Sequence, residues 1–123
     1  MNDQDRKTVI QSVMDVSDDA VMNALVIVFE NQTEDEQRSE LTMHDNGIGF
    51  SGADAEFMTS LAKQVYKSGS LSPKQMNWAR KIMKKYWKQV FQHYDGDLSG
   101  FTTLSVISEE NVEWMDTVYY PKY

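Results

Sequence analysis

The amino-acid sequence predicts a mainly α-helical bundle built on three main helices. They are expected over about residues 17–31, 52–67 and 73–94. In the second and third segments apolar residues recur every three or four positions, as on one face of a helix. Residues typical of helix ends flank the segments. Short elements should complete the single domain, residues 1–123, that a chain of this length predicts.

Two helices are predicted in the first part of the chain. Apolar residues between Val9 and Met14 suit one face of a short helix. Ser17 is the expected N-cap of the first main helix, which contains the apolar run 20–29. The β-branched residues of this run would also suit a buried strand, but the cap and the length favour a helix.

A separate acidic helix is predicted next, because Thr33 and Glu36 have the spacing of a capping box. It should end before the Asn46-Gly47 turn. The amphipathic segment that follows should end at Gly69, which can adopt the left-handed conformation.

The third main helix has the strongest end signals. Ser72 is the expected N-cap, Pro73 occupies the first helical position, and Gln75 completes a capping box. Gly96 should stop the helix. Residues 101–107 are compatible with a short strand.

Charge is unevenly distributed along this chain of net charge −7. Residues 1–60 contain 13 acidic and three basic residues, and residues 61–94 contain eight basic residues and no acidic one. Residues 95–123 contain six acidic residues and one lysine. Such an asymmetry predicts an interaction with a charged partner or between the blocks themselves.

The basic face of the third main helix predicts a nucleic-acid-binding surface. Bases on one helix face can follow a phosphate backbone without reading its sequence, and a tryptophan at the border can stack on a base. The candidate residues are Lys74, Trp78, Arg80, Lys81, Lys84, Lys85 and Lys88. Two alternatives stay open: the bases solvate an ordinary amphipathic helix, or they face the chain's own acids.

A cluster of carboxylates supports a different hypothesis, an acidic interaction or inhibitor module that binds a basic protein. The cluster consists of Glu34, Asp35, Glu36 and Glu40. The opposite charge blocks are also compatible with a homo-oligomer in which one subunit's bases face another's acids.

A calcium loop is a further candidate at the end of the third helix. Asp95, Asp97 and Ser99 occupy alternate positions before a glycine, as at the start of an EF-hand-type loop. The twelfth position, where a bidentate glutamate is needed, is Val106, so a turn that ends the helix is favoured.

No catalytic motif and no cofactor-binding motif occurs in the sequence, so an enzyme is not expected and no cofactor is predicted. Cysteine is absent, which excludes disulfides and thiolate metal sites. The acidic first residues do not resemble a signal peptide, and the longest apolar run is 24–29. These features predict a cytoplasmic protein with no membrane partner.

Several motifs in residues 25–92 resemble those of small uncharacterised phage and prophage proteins. They are Gln32-Thr33-Glu34-Asp35-Glu36-Gln37, Asn46-Gly47-Ile48-Gly49-Phe50, Asp54-Ala55, Ser60-Leu61-Ala62, Leu71-Ser72-Pro73-Lys74-Gln75, and Lys84-Lys85-Tyr86 with Gln89. The resemblance implies a phage origin and an association with DNA metabolism. It assigns no site residue, because that family has no established activity.

Overall fold

The regular secondary structure of the described residues is entirely helical, in agreement with the predicted mainly α fold. The computed structural model describes residues 2–39, with side chains as far as residue 32, and residues 49–104. The helices are α1 (Asp3–Val16), α2 (Asp18–Ser39), α3 (Ala55–Ser68), α4 (Pro73–Met83) and α5 (Trp87–Tyr94). One 3-10 turn, Lys84–Tyr86, joins α4 to α5, and another, Leu98–Gly100, follows α5. No strand occurs in these residues.

Helix α2 is the centre of the bundle. Every residue from Ala20 to Phe29 is at most 5% exposed, and α1, α3, α4 and α5 all pack against this helix. A helix that is covered on all sides needs no polar face. The apolar run therefore lacks helical periodicity, although it forms the predicted helix. The predicted cap is also present, since the Ser17 hydroxyl accepts a hydrogen bond from the N–H of Ala20 at 3.1 Å.

The prediction of a separate acidic helix after α2 is wrong, because α2 continues without a break to Ser39. Thr33 therefore lies inside the helix and is not an N-cap. No glycine or proline occurs between Phe29 and Ser39, and glutamate, glutamine and arginine favour helix. The Asn46-Gly47 turn lies outside the described residues.

The two amphipathic helices on either side of α2 form as predicted. In α1, Ile10 and Met14 are fully buried. In α3, Met58, Leu61, Ala62 and Val65 are buried. Gly69 ends α3 with a φ of 71°, and its N–H bonds to the carbonyl of Val65 at 2.8 Å.

Helix α4 begins with both halves of the predicted capping box. The N–H of Gln75 bonds to the Ser72 hydroxyl at 3.1 Å, and the N–H of Ser72 bonds to the Gln75 side chain at 2.8 Å. The predicted helix 73–94 is interrupted, however, at Lys84–Tyr86. There Gln11 of α1 donates a hydrogen bond to the Lys84 carbonyl at 3.0 Å. This contact from another helix has no signal in the local sequence.

The chain turns sharply after α5. Asp95 and Gly96 are both in the left-handed conformation, with φ values of 50° and 88°. Gly96 is the residue that was predicted to end the helix. The strand prediction is wrong for residues 101–104, of which 101–103 form a turn and a bend. The side chain of Asn23 donates to the carbonyls of Phe101 and Thr103 at 2.9 and 3.0 Å, and so binds groups that a strand partner would use. Residues 105–107 lie outside the described residues.

One hydrophobic core joins the described helices. Its members include Phe29 of α2, Tyr66 of α3, Met83 of α4 and Val90 of α5. Among the described helices, none combines the length and apolar character that crossing a bilayer requires.

Candidate nucleic-acid interface

Five residues along α4, the 3-10 turn and α5 form an exposed row, which we call the basic stripe. They are Lys74, Trp78, Lys81, Lys85 and Lys88. Their spacing of four, three, four and three residues places them on one side of a helix. All five are exposed, whereas Met76, Ala79 and Met83, on the opposite side, are buried in the core. The stripe therefore faces solvent.

Trp78 lies within this stripe, one helical turn from Lys74 and from Lys81. Its side chain is 49% exposed, unlike Trp87, which packs partly buried against the core. The ammonium group of Lys81 lies 5.8 Å from the centroid of the Trp78 ring, within the range of a cation–π contact. Helical periodicity predicts that Trp78 lies at the border of the basic face. In the structure Lys74 and Lys81 are exposed one turn before and one turn after Trp78, so the indole lies between two lysines.

Arg80 and Lys84 lie on the flank of α4 that faces α1, and both bind groups of the protein itself. The Nε of Arg80 donates to the Met14 carbonyl at 2.9 Å, and its guanidinium pairs with Asp18. The ammonium of Lys84 pairs with Asp15. These cations lie beside the end of α1, where the helix dipole favours positive charge. They hold α4 against α1.

Lys85 is both exposed in the stripe and paired with an acid of the protein. It belongs to the stripe and 58% of its side chain is exposed, but its ammonium lies 2.7 Å from the carboxylate of Asp54. Within the described residues, Lys74, Lys81 and Lys88 form no ion pair. Of the six predicted bases, Arg80, Lys84 and Lys85 thus pair with the chain's own acids, and the other three do not pair with any described acid.

Asp54 is the centre of a polar network at the start of α3. One of its oxygens accepts hydrogen bonds from Lys85 at 2.7 Å, from the Tyr86 hydroxyl at 2.6 Å and from the Ser51 hydroxyl at 3.2 Å. Burial raises the pKa of Asp54, but the hydrogen bonds from Lys85 and Tyr86 outweigh it, and the pKa falls below the ordinary 3.8.

The pKa values of the two titratable partners of Asp54 are shifted in the opposite direction. Burial, with the hydrogen bond to Asp54, raises the pKa of Tyr86. The hydrogen bond to Asp54 raises the pKa of Lys85. All three groups are therefore moved away from neutral pH, and the arrangement suits holding the structure rather than transferring protons.

Two glutamines bind the segment that leads into α3, and sequence reasoning assigned neither a role. Gln89 accepts from the N–H of Gly49 and donates to its carbonyl, both at 3.0 Å. Gln32 accepts from the N–H of Phe50 at 3.1 Å. Periodicity does not identify such residues, because a single polar side chain at a helix surface has no repeating pattern. The motifs quoted above do contain both glutamines.

The proposed calcium loop forms the turn that ends α5. Asp97 accepts a hydrogen bond from the N–H of Ser99 at 3.1 Å, and this bond lowers the pKa of Asp97. Asp95 is the left-handed residue at the helix end. In the part of the chain that the structure describes, no group of three or more histidine, cysteine, aspartate or glutamate side chains is placed to hold a metal ion. Val106 lies outside that part.

Two other candidate features lie away from the stripe. The acidic cluster of Glu34, Asp35, Glu36 and Glu40 has its side chains outside the described residues. An open groove of about 800 Å³ follows the outer face of α3, where its described lining includes Phe57, Lys63 and Lys67. The groove lining comes from α3 and the residues just before it and contains no residue of the stripe.

The fold and this surface define a helical bundle that presents a basic, tryptophan-containing stripe on its α4–α5 side. Comparison of the chain with protein-family models, with curated proteins and with solved structures found no match.

Proposed function

We propose that this protein binds the phosphate backbone of nucleic acid through the basic stripe. The observation that carries the proposal is that Lys74 and Lys81 of α4 and Lys88 of α5 are exposed and form no ion pair within the described residues. Unpaired ammonium groups on one face can release the counterions of a phosphate backbone, which favours binding. Arg80 and Lys84 are excluded from the proposed site, because they hold α1.

The spacing of the three lysines supports contact with an extended polyanion. Each is seven residues from the next, which corresponds to about 10 Å along a helix axis, so the row is about 20 Å long. Three contacts spread over this length suit a backbone that runs along the helix, and they do not require that a base sequence is read.

The net charge of −7 does not exclude this interaction. Charges are screened over about 10 Å at 0.1 M salt, so the local charge of the stripe dominates once the ligand is close. Asp15, Asp18 and Asp54 are each paired with a base of α4 or of the 3-10 turn. Their repulsion of a phosphate is thereby reduced.

The test is a fluorescence-anisotropy titration of labelled single-stranded and duplex DNA at about 50 mM salt. Binding at micromolar protein is expected. Three contacts to a single strand predict a slope of about −2 in a plot of log K against log salt concentration. Absence of binding to both ligands, or binding that salt does not weaken, would contradict the proposal.

A matched pair of triple variants distinguishes the effect of losing positive charge from any effect of the substitutions on the fold. Changing Lys74, Lys81 and Lys88 together to glutamine should abolish binding, since the positive charge is lost. Changing the same three residues to arginine should retain it, because the charge and the helix propensity are retained. Circular dichroism should show that both variants are helical.

A phage setting and a cytoplasmic location belong to the same proposal, and the motif resemblance supports the phage setting as an analogy. The acidic-module hypothesis stays a prediction, because no described side chain bears on its cluster. If this protein binds no DNA but captures a basic protein, that result would favour the acidic-module hypothesis.

Light scattering at low and high salt tests the homo-oligomer hypothesis. A monomer at both salt concentrations would contradict it.

A further inference from the structure

The exposed indole of Trp78 is a feature that phosphate contacts alone do not use. Large aromatic side chains contribute most to stability when they are buried, and the core of this bundle is formed without Trp78. About half of the side chain is instead open to solvent between Lys74 and Lys81. An aromatic ring between two cations is the arrangement with which proteins bind unpaired bases.

We infer that the ligand of the stripe is single-stranded nucleic acid, one base of which stacks on Trp78 while its flanking phosphates contact Lys74 and Lys81. This inference rests on the proposed function and specifies its ligand. In a duplex each base is already stacked between its neighbours, so the indole has no free base face to contact. In a single strand the bases can splay outward onto an aromatic side chain.

The contact between Lys81 and Trp78 supports this reading. The ammonium lies over the indole ring, 5.8 Å from its centroid, so a cation is already held at a face of the ring. A phosphate attached to the stacked base would lie close to that cation. The indole and the lysine would then bind neighbouring parts of the same nucleotide, without any contact that distinguishes one base from another.

The charge of the stripe and its exposed indole together point to a single strand. The stripe lies on the outer side of a helix whose opposite side is buried against α2. Charge complementarity requires a polyanion, and the stacking surface requires an unpaired base. Single-stranded nucleic acid meets both requirements at one row of residues.

The test compares three DNA ligands of equal length at equal salt: an oligothymidylate strand, a duplex, and a strand with abasic positions throughout. The base-bearing single strand should bind at least several-fold more tightly than the other two. Equal binding of the abasic strand, or tighter binding of the duplex, would overturn the inference and leave the proposed function intact.

Substitutions of Trp78 test whether base stacking takes place on this residue. Trp78→Leu should weaken binding of the base-bearing strand roughly tenfold and leave abasic binding unchanged, because only stacking is lost. Trp78→Phe should restore much of the affinity, since phenylalanine also stacks. Phe57→Leu, a change at another exposed aromatic residue, should have no effect.

The two proposals fail in different ways. Binding that survives Trp78→Leu unchanged overturns the stacking inference alone. No binding of any of the three ligands, by a protein that circular dichroism shows to be helical, overturns the proposed function and the inference with it.

Discussion

Gln89 binds both backbone groups of Gly49, accepting from its N–H and donating to its carbonyl at 3.0 Å each. The two residues are 40 positions apart in the sequence. This pair joins α5 to the segment that leads into α3. Ser51 and Asp54, in that segment, are held by Tyr86. The basic stripe is thus carried by helices that the segment 49–54 helps to fix.

Gly49→Ala should be strongly destabilising. Gly49 has a φ of 80°, and an added Cβ would lie 2.5 Å from the Cβ of Gln32. Left-handed strain and the clash together should lower the free energy of unfolding by about 2–4 kcal/mol, measured by urea denaturation. Gly96→Ala is the matched control, because it has a φ of 88° but no atom within 4 Å. It should cost only about 1 kcal/mol. Equal losses would contradict the role of the clash.

Tyr86→Phe should destabilise the protein by about 1–3 kcal/mol. The hydroxyl of Tyr86 accepts from the N–H of Ser51 at 3.0 Å and donates to Asp54 at 2.6 Å, and both partners would lose a hydrogen bond. Tyr94→Phe is a suitable comparison, since the Tyr94 hydroxyl makes no hydrogen bond within the described residues. Thermal and urea unfolding should show a loss for the first variant and almost none for the second.

The stability that Asp54 provides should depend on acid pH. Because its pKa in the folded state lies below the ordinary 3.8, the contribution is complete above pH 3.8. It is lost as the pH falls below 3.8 and through the folded-state pKa. Asp54→Asn should therefore be less stable than the wild type at pH 5, and the difference should shrink at pH 3. A difference that does not change with pH would show that the charge of Asp54 is unimportant.

Substitutions of Arg80 and Lys88 should affect different properties, the first the stability of the protein and the second its DNA binding. Arg80, with 22% of its side chain exposed, bonds to the Met14 carbonyl and pairs with Asp18. Arg80→Gln should lower the free energy of unfolding by about 1–3 kcal/mol, with little effect on DNA affinity at a temperature where the variant is folded. Lys88→Gln should weaken DNA binding and leave stability nearly unchanged. The reverse pattern in calorimetry and anisotropy would contradict this division.

Helix ends and buried faces could be predicted because their causes are local. Ser72 and Gln75 bond to each other within one turn, so their residue types suffice to identify the cap. The break at Lys84–Tyr86 could not be found in this way, because the Gln11 side chain that bonds there is 73 residues distant in the sequence.

The candidate site was predicted as a set of bases and one tryptophan on one helix. The amino-acid sequence by itself determined that Lys74, Lys81 and Lys88 share an outer face with Trp78 at its border, because helical periodicity follows from residue spacing. Which bases remain available depended on chain packing. Asp18 lies 62 positions before Arg80, and Asp54 lies 31 positions before Lys85. An ion pair requires that two charges meet in space, and only the folded arrangement brings Asp18 of α2 to Arg80 of α4, and Asp54 at the start of α3 to Lys85 of the 3-10 turn.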